Sequence, residues 1–190
     1  MIVIVGAGAL GSHVALLCRN FKEEIRVVDF DKVEMKNTQA QFHTKMSIRR
    51  NKAQSLGQAL RGMFGVEIEV NPHKLTKDNV RYLLGDAELV IDCTDNIKAR
   101  TLIQDYVRKN EIPCLHGALS GDGTFGRMLW TEEFTADAEG EDGEATCEDG
   151  EALPFFAFVS SMMAMEAQSF LKTGKKRSMQ FSPAGALRLT

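Results

Sequence analysis

The sequence contains 190 residues, of which 44% are hydrophobic, and its formal net charge at pH 7 is −3. This composition is typical of a globular protein, and we predict a single domain over residues 1–190. No basic face stands out, which argues against a nucleic-acid partner. There is no signal-peptide pattern and no apolar stretch of membrane-spanning length, so we expect a cytoplasmic protein with no membrane partner.

The first thirty residues predict a strand, a glycine turn, a helix and a second strand. Ile2–Val5 is a short apolar run typical of a buried strand, and apolar residues recur at helical intervals over residues 9–21. Ile25–Val28 is a second apolar run, and Asp29 follows it directly. A G-x-G-x-x-G spacing separates the first strand from the helix, and this order is typical of nucleotide-binding folds.

At each of the three motif positions in this turn there is a physical reason for glycine. Gly6 allows the tight turn, Gly8 leaves room for a phosphate, and Gly11 lets helix and strand pack closely. The helix N-terminus then offers N–H groups to an anion, and Asp29 can accept hydrogen bonds from ribose. The alternative is a purely structural glycine turn, and the motif leaves the identity of the nucleotide open. The predicted nucleotide contacts of the turn are Gly6, Gly8, Ala9, Leu10 and Gly11.

Strand and helix patterns then alternate, which predicts a doubly wound parallel sheet. We predict a polar connection over 30–46, helices over 47–64, 76–84, 96–109 and 154–171, and strands over 66–70, 89–92, 113–115, 124–130, 179–181 and 186–189. The strand over 124–130 is expected to be antiparallel. The predicted fold class is therefore α/β, a Rossmann-like, mainly parallel sheet with an antiparallel C-terminal extension. Asp95 is the expected N-cap of the helix over 96–109.

Residues 132–152 differ from the rest of the chain. They are rich in Asp, Glu, Gly and Ala and contain no Lys or Arg. Like charges repel one another, so we predict a mobile acidic crossover loop within the domain. The four cysteines are Cys18, Cys93, Cys114 and Cys147, and none forms a C-x-x-C pair, so we expect no zinc.

Three polar motifs follow the glycine turn in a restrictive order. They are D-F-D-K-V-E-M-K-N at 29–37, N-K at 51–52 and C-T-D-N at 93–96. This set resembles the ubiquitin-activating-enzyme-like superfamily of the ThiF, MoeB and HesA type. The resemblance covers nearly the whole chain and extends to Cys147 and the last helix. Bacterial members of that superfamily activate the sulfur-carrier proteins of thiamine and molybdopterin synthesis.

The resemblance implies an adenylyltransferase that uses ATP and Mg²⁺. The C-terminal carboxylate of a small ubiquitin-like or sulfur-carrier protein would attack the α-phosphate, and pyrophosphate would leave. Asp29 would hold the ribose, Asn37 would contact phosphate, and Lys52 would neutralise phosphate charge. Asp95 would be the metal ligand and a catalytic residue with Lys52, and Asp31 would be a further nucleotide contact. The local alternatives are an Asx turn for Asn37, an exposed lysine at position 52 and a helix cap for Asp95.

The resemblance also concerns a covalent step and the assembly. Cys147 matches the cysteine that some relatives join to their carrier protein, although its acidic neighbours disfavour the thiolate. The family forms homodimers, and the last helix carries apolar residues on more than one side, so we expect a homodimer. Cys93, Cys114 and Cys18 are expected to be buried, and His116 is expected to be structural.

Two departures from the family pattern leave other functions open. Ala40 stands where the family has an arginine. Relatives also have a helix before the first strand, and we do not expect that helix in this chain. The nearby cations Lys36, Lys45, Arg49 and Arg50 are candidate substitutes for that arginine. A non-catalytic ATP-binding pseudoenzyme or scaffold is one alternative. An NAD(P)-dependent oxidoreductase is another, although it leaves the C-T-D-N motif unexplained.

Overall fold

The computed structural model describes residues 1–120, 122–136 and 150–189. In these ranges the strands are β1 (Ile2–Val5), β2 (Ile25–Val28), β3 (Glu69–Asn71), β4 (Leu89–Asp92), β5 (Cys114–Leu119), β6 (Gly126–Trp130), β7 (Met179–Ser182) and β8 (Gly185–Arg188). The α-helices there are α1 (Gly11–Cys18), α2 (Asn37–Ala40), α3 (Lys52–Phe64), α4 (Val80–Leu84), α5 (Ile97–Lys109) and α6 (Leu153–Thr173). Residues 137–149, which form most of the predicted acidic loop, lie outside the described part of the chain.

The strands form one sheet in the order β3-β2-β1-β4-β5-β6-β7-β8. The pairs from β3 to β5 are parallel, and those from β5 to β8 are antiparallel. The predicted fold class is therefore confirmed. The strand order reverses at β1, which pairs with β2 on one side and β4 on the other. In open α/β sheets, ligands bind at such a switch point, beyond the carboxyl ends of the strands.

Helices cover both faces of the sheet and form two separate cores. One core joins α1, α3 and α6 to the sheet, and the other joins α4 and α5 to the opposite face. Successive residues of a strand point to opposite faces, and β1 contributes Ile2 and Ile4 to the first core and Val3 and Val5 to the second. The strand is buried on both faces, which explains its continuous apolar run.

Several predicted boundaries were wrong for local reasons. The helix predicted over 47–64 begins only at Lys52, because Ile48 is extended and Arg49 has a φ of 71°. The polar connection before it contains α2 and a 3-10 turn at Lys45–Ser47. The prediction that Asp95 caps α5 was also wrong, since Asn96 caps this helix by accepting a hydrogen bond from the Ala99 N–H. The strand predicted over 113–115 continues to Leu119, because its second half pairs with β6.

The long last helix, α6, is covered mainly by its own chain. Phe155, Phe156 and Met163 are buried, whereas Met165 is 61% exposed. Among the described residues, no helix has the length and hydrophobicity that a membrane span requires.

Candidate nucleotide-binding site

The glycine turn between β1 and α1 leaves open space at one glycine only. Gly6 has a φ of +94°, and a Cβ on Gly11 would lie 1.8 Å from the Gly6 carbonyl oxygen. These two glycines are therefore required by the turn itself. A Cβ on Gly8 would instead find the Gln41 Nε2 as its nearest neighbour, at 4.0 Å. The first turn of α1 has no side-chain cap, so the N–H groups beside Gly8 are available to an anion.

Asp29 lies at the carboxyl end of β2, next to this turn. Its Oδ2 accepts a hydrogen bond from the Ala7 N–H at 2.6 Å, and its Oδ1 accepts one from the Asp31 N–H at 2.7 Å. Burial raises the pKa of Asp29, while the nearby Lys52 ammonium and the two N–H groups oppose this rise. The carboxylate is thus joined directly to the glycine turn, and each oxygen keeps a lone pair for a further donor.

Lys52 is held over the same region by the start of α3. The Asn51 side chain caps α3 and also donates hydrogen bonds to the backbone oxygens of Asp29 and Asp31, at 2.7 and 3.1 Å. The Lys52 Nζ lies 3.4 Å from the Asp31 Oδ2, and its side chain is only 12% exposed. The predicted alternative of an exposed lysine is therefore wrong.

The short helix α2 contains Asn37, a predicted phosphate contact, and Ala40, which departs from the family pattern. Asn37 is buried, and its Oδ1 accepts a hydrogen bond from the N–H of Glu34, three residues earlier in the chain, at 2.8 Å. This differs from the Asx bond of the predicted alternative, in which the donor follows the Asn in the chain. Its amide nitrogen is the group left for a ligand. Ala40 is fully buried in the core shared by α1, α3 and α6. The Cβ at position 40 therefore lies inside the packed core.

The carboxyl end of β4 carries a buried polar network beside Gly6. The Asp92 Oδ1 accepts hydrogen bonds from Thr94, and its Oδ2 is 2.8 Å from the His116 Nδ1. Burial opposes ionisation of Asp92, but His116, Arg100 and Thr94 together hold its pKa below the usual value. With both oxygens engaged, Asp92 serves the fold, and His116 has the structural role predicted for it.

Asp95 comes three residues after the end of β4 and is exposed. Arg100 fixes the preceding turn by donating to the carbonyl oxygens of Thr94 and Gly117, as a bracing residue would. Asp95 therefore lies beyond the carboxyl end of β4, which pairs in parallel with β1, the strand that leads into the glycine turn. The described residues contain no group of three potential metal ligands.

The cysteines of the described ranges are poor nucleophiles. Cys18 and Cys114 are fully buried, and Cys93 lies half-buried next to Gly6. Burial raises the pKa of Cys18 to about 12, and it raises the pKa values of Cys93 and Cys114 as well. Cys147 lies outside the described residues.

Comparison with known proteins agrees with this architecture. The sequence matches the ThiF family over residues 1–184. The chain belongs to the ThiF family.

Several similar proteins are named as adenylyltransferases or activating enzymes. The chain is 35% identical over 121 residues to the SAMP-activating enzyme E1 of Haloferax volcanii, covering 62% of this chain and 45% of that protein. It is 33% identical over 124 residues to the sulfur carrier protein ThiS adenylyltransferase of Bacillus subtilis, and the match covers 63% of this chain and 37% of that protein. For the molybdopterin-synthase adenylyltransferase of Salmonella typhimurium the identity is 26%, covering 90% and 72%. The matches thus span less than half the length of the first two relatives.

Solved structures support the same fold. Escherichia coli MccB, crystallised with MccA-N7isoASN, has a TM-score of 0.79 and 14% identity, covering 100% of this chain and 64% of that chain. PaaA has a TM-score of 0.75, also at 14% identity, covering 99% and 62%. The identities are low, so these similarities concern the ThiF-family fold alone.

The fold brings most of the predicted ThiF-family site residues to one edge of the sheet. The glycine turn, Asp29, Asp31 and Lys52 are linked by direct contacts, and Asp95 follows the neighbouring strand. Sequence reasoning missed His43, Gln41 and Ser12, which contact the glycine turn or the helix after it. Gln41 and His43 lie in a segment without periodicity, so the sequence carried no signal for their placement, whereas Ser12 lies in the predicted first helix and its contact with Phe42 could not be predicted.

Proposed function

We propose that this chain catalyses ATP-dependent adenylation of the C-terminal carboxylate of a small ubiquitin-like or sulfur-carrier protein. A carboxylate oxygen forms a bond to the α-phosphorus, the bond from that phosphorus to the β-bridging oxygen breaks, and pyrophosphate leaves. The proposal rests on one observation: within a ThiF-family fold, Asp29 is hydrogen-bonded to the glycine turn and lies close enough to Lys52 to interact with its charge. Catalysis of such a displacement relies on positioning and charge neutralisation.

The roles follow from the contacts. Asp29 accepts hydrogen bonds from the ribose, and the open surface at Gly8 receives phosphate oxygens. Lys52 balances the charge that develops on the phosphates when it turns from Asp31 to the ligand. Asn37 contributes its amide nitrogen. These groups act without a protein nucleophile, because the carrier's own carboxylate attacks.

Asp95 suits a magnesium ion that is shared with the nucleotide. Mg²⁺ is commonly bound by one or two carboxylates together with phosphate oxygens and water. Asp95 is exposed, whereas the neighbouring Asp92 is fully engaged with Thr94 and His116. Bound there, the ion would supply charge neutralisation at the triphosphate.

The carrier protein needs a path for its C-terminal tail. A cavity of about 710 Å³ lies at the same edge of the sheet, on the side of the antiparallel strands. It is lined by the turn before β6, the start of α6 and the turn between β7 and β8, including Thr124, Phe155 and Phe158. An open groove of mixed polarity suits an extended peptide.

A later covalent step is part of the proposal. The Cys147 thiolate would attack the carbonyl carbon of the acyl-adenylate, a thioester would form and AMP would leave. Intact-mass measurement after a turnover with ATP and carrier would detect this adduct. Loss of the adduct in Cys147→Ala supports the step, and the absence of any adduct in the wild-type chain contradicts it.

The first experiment compares ligands by thermal shift. A true ligand stabilises the folded state by RT ln(1 + [L]/Kd), so Mg·ATP should raise the melting temperature and NAD⁺ should not. Stabilisation by NAD⁺ alone would contradict the proposal.

The second experiment measures ATP–pyrophosphate exchange with a candidate carrier protein that ends in Gly-Gly. We expect carrier-dependent exchange that falls at least tenfold in Lys52→Gln, because phosphate charge is no longer balanced. The exposed Lys77 offers a matched control, and Lys77→Gln should keep the wild-type rate.

A non-catalytic ATP-binding scaffold is the second candidate function. It is favoured by Ala40, which is buried in the core and supplies no charge to the site. This candidate predicts stabilisation by Mg·ATP together with no pyrophosphate exchange for any carrier.

A further inference from the structure

Residues 41–43 lie beside the glycine turn and form two hydrogen bonds, one to that turn and one to the helix after it. The Gln41 Nε2 would lie 4.0 Å from a Cβ on Gly8. The Phe42 N–H donates to the Oγ of Ser12, a fully buried residue of α1, at 2.9 Å. The His43 Nε2 is 2.9 Å from the Ala7 carbonyl oxygen. These contacts join the connection after β2 to the part of the chain that would receive phosphate.

The peptide groups of Ala7 are held on both sides. The N–H of Ala7 donates to the Asp29 carboxylate, and its carbonyl oxygen faces His43. A carbonyl oxygen can only accept, so the His43 Nε2 must carry the proton in this contact. Ala7 precedes Gly8 directly, and its orientation therefore sets the direction of the N–H groups that follow.

Packing alone does not explain why the polar side chain of His43 is buried. It is only 7% exposed, and its Nδ1 has no hydrogen-bond partner among the described residues. A leucine would fill a similar space without an unpaired buried acceptor, but it would leave the Ala7 carbonyl oxygen without this donor. The histidine is therefore explained by what its Nε2–H does for the turn.

We propose that His43 is a positioning residue that fixes the phosphate-binding turn by donating its Nε2–H to the Ala7 carbonyl oxygen. This inference rests on the proposed ATP site and adds a residue to it. A turn whose N–H groups are already aligned binds phosphate without reordering, which favours affinity. Burial lowers the pKa of His43 to about 4 and the nearby Lys52 acts in the same direction, so the ring stays neutral near pH 7.

The test compares three variants in the full chain. His43→Leu removes the donor, and His43→Gln retains an amide donor on a side chain of similar reach. Ile103→Val is the control, because Ile103 lies in the core on the opposite face of the sheet and its truncation destabilises the fold without touching the turn. Dissociation constants for Mg·ATP are measured by calorimetry, and melting temperatures are recorded in parallel.

We expect His43→Leu to weaken Mg·ATP binding about tenfold, the effect of one lost hydrogen bond. His43→Gln should stay within about threefold of the wild type, and Ile103→Val should bind as the wild type does despite its lower melting temperature. Wild-type affinity in a folded His43→Leu would overturn the inference. So would a folded His43→Gln that binds as weakly as His43→Leu.

A second measurement needs no variant and covers the case in which His43→Leu fails to fold. Nitrogen-15 spectra of the histidine rings distinguish the two neutral tautomers, and His43 should be the Nε2–H form at pH 7. The Nδ1–H form, or a protonated ring, would overturn the inference. If the wild-type chain binds no Mg·ATP, the proposed function fails and this inference fails with it, whereas a tautomer or variant result against it leaves the proposed function intact.

Discussion

Gly8 and Gly11 differ in what surrounds them, although the sequence motif treats them alike. Gly11 faces the Gly6 carbonyl oxygen and has no room for a methyl group, while Gly8 faces open space. One glycine therefore serves the fold of the turn, and the other is free to serve a ligand.

We predict that Gly8→Ala folds with nearly the wild-type melting temperature but binds Mg·ATP at least tenfold more weakly, because its methyl group occupies the space proposed for phosphate. Gly11→Ala should destabilise the protein by several kcal/mol, as a steric overlap in a packed turn does. Gly62 in α3 has no neighbour within 4 Å of an added Cβ, so Gly62→Ala should change neither property adversely. Thermal melts and calorimetry test all three, and normal ATP affinity in Gly8→Ala would contradict the proposed placement of the phosphate.

His43 also makes stability depend on pH. Its pKa is about 4 in the folded chain and 6.5 as the ordinary value, so the unfolded chain binds more protons between these values. Stability is therefore complete above pH 6.5 and declines as the pH falls toward 4, by about 3 kcal/mol for this group. His13, whose pKa burial also lowers, adds to the same slope. In urea titrations at pH 4 to 7, His43→Gln should show a smaller pH slope than the wild type, and an unchanged slope would contradict this prediction.

At the scale of elements, two helices begin with the same type of cap but differ in what the cap does. Asn51 caps α3 and also holds the backbone of Asp29 and Asp31. Asn96 caps α5 by accepting from the Ala99 N–H. The start of α3 therefore couples Lys52 to the end of β2.

We predict that Asn51→Ala costs about 2 to 3 kcal/mol of folding stability, the sum of a lost cap and lost hydrogen bonds to the carbonyl oxygens of Asp29 and Asp31. Asn96→Ala should cost about 1 kcal/mol, the usual effect of a cap alone. Only Asn51→Ala should also weaken Mg·ATP binding. Chemical denaturation gives the stabilities, and equal losses in the two variants would show that the contacts from Asn51 to β2 contribute little.

The elements also show what the sequence could and could not predict. The bounds of β1, β2 and β4 were right because strands buried on both faces give short, mainly apolar runs. The charged Arg26 in β2 is buried through its ion pairs with Glu69 and Asp86. The start of α3 was missed because Ile48 continues the apolar period, although Arg49 has left helical geometry. Asp29 and Lys52, the side chains proposed to contact the nucleotide, stand in sequence motifs, so their placement beside the glycine turn could be predicted. His43 could not, since its role depends on a contact across 36 residues of chain.

At the scale of the whole molecule, the sheet has a parallel half that carries the proposed nucleotide contacts and an antiparallel half that carries the open groove. His116 on β5 joins the two halves, because it contacts Asp92 on β4 and Thr131 directly after β6. The helix α6 spans the same region and leaves Met165 exposed.

We predict a homodimer that uses this exposed side of α6. Met165→Glu places a charge on that surface and should convert a dimer into a monomer, with little effect on the melting temperature of the isolated chain. Light scattering measures the mass, and Met63→Glu, at an exposed methionine on α3, is the matched control. A monomeric wild-type chain would contradict the prediction.

The buried thiols of Cys18 and Cys114 and the half-buried thiol of Cys93 have a practical consequence for labelling chemistry. Each has a raised pKa, so alkylating reagents at neutral pH meet little thiolate on them while the protein is folded. A fluorophore that couples rapidly in native buffer would therefore be assigned by elimination to Cys147. The natural sequence would then act as a single-site reporter, and carrier-dependent protection from the fluorophore could be followed without first removing the other cysteines.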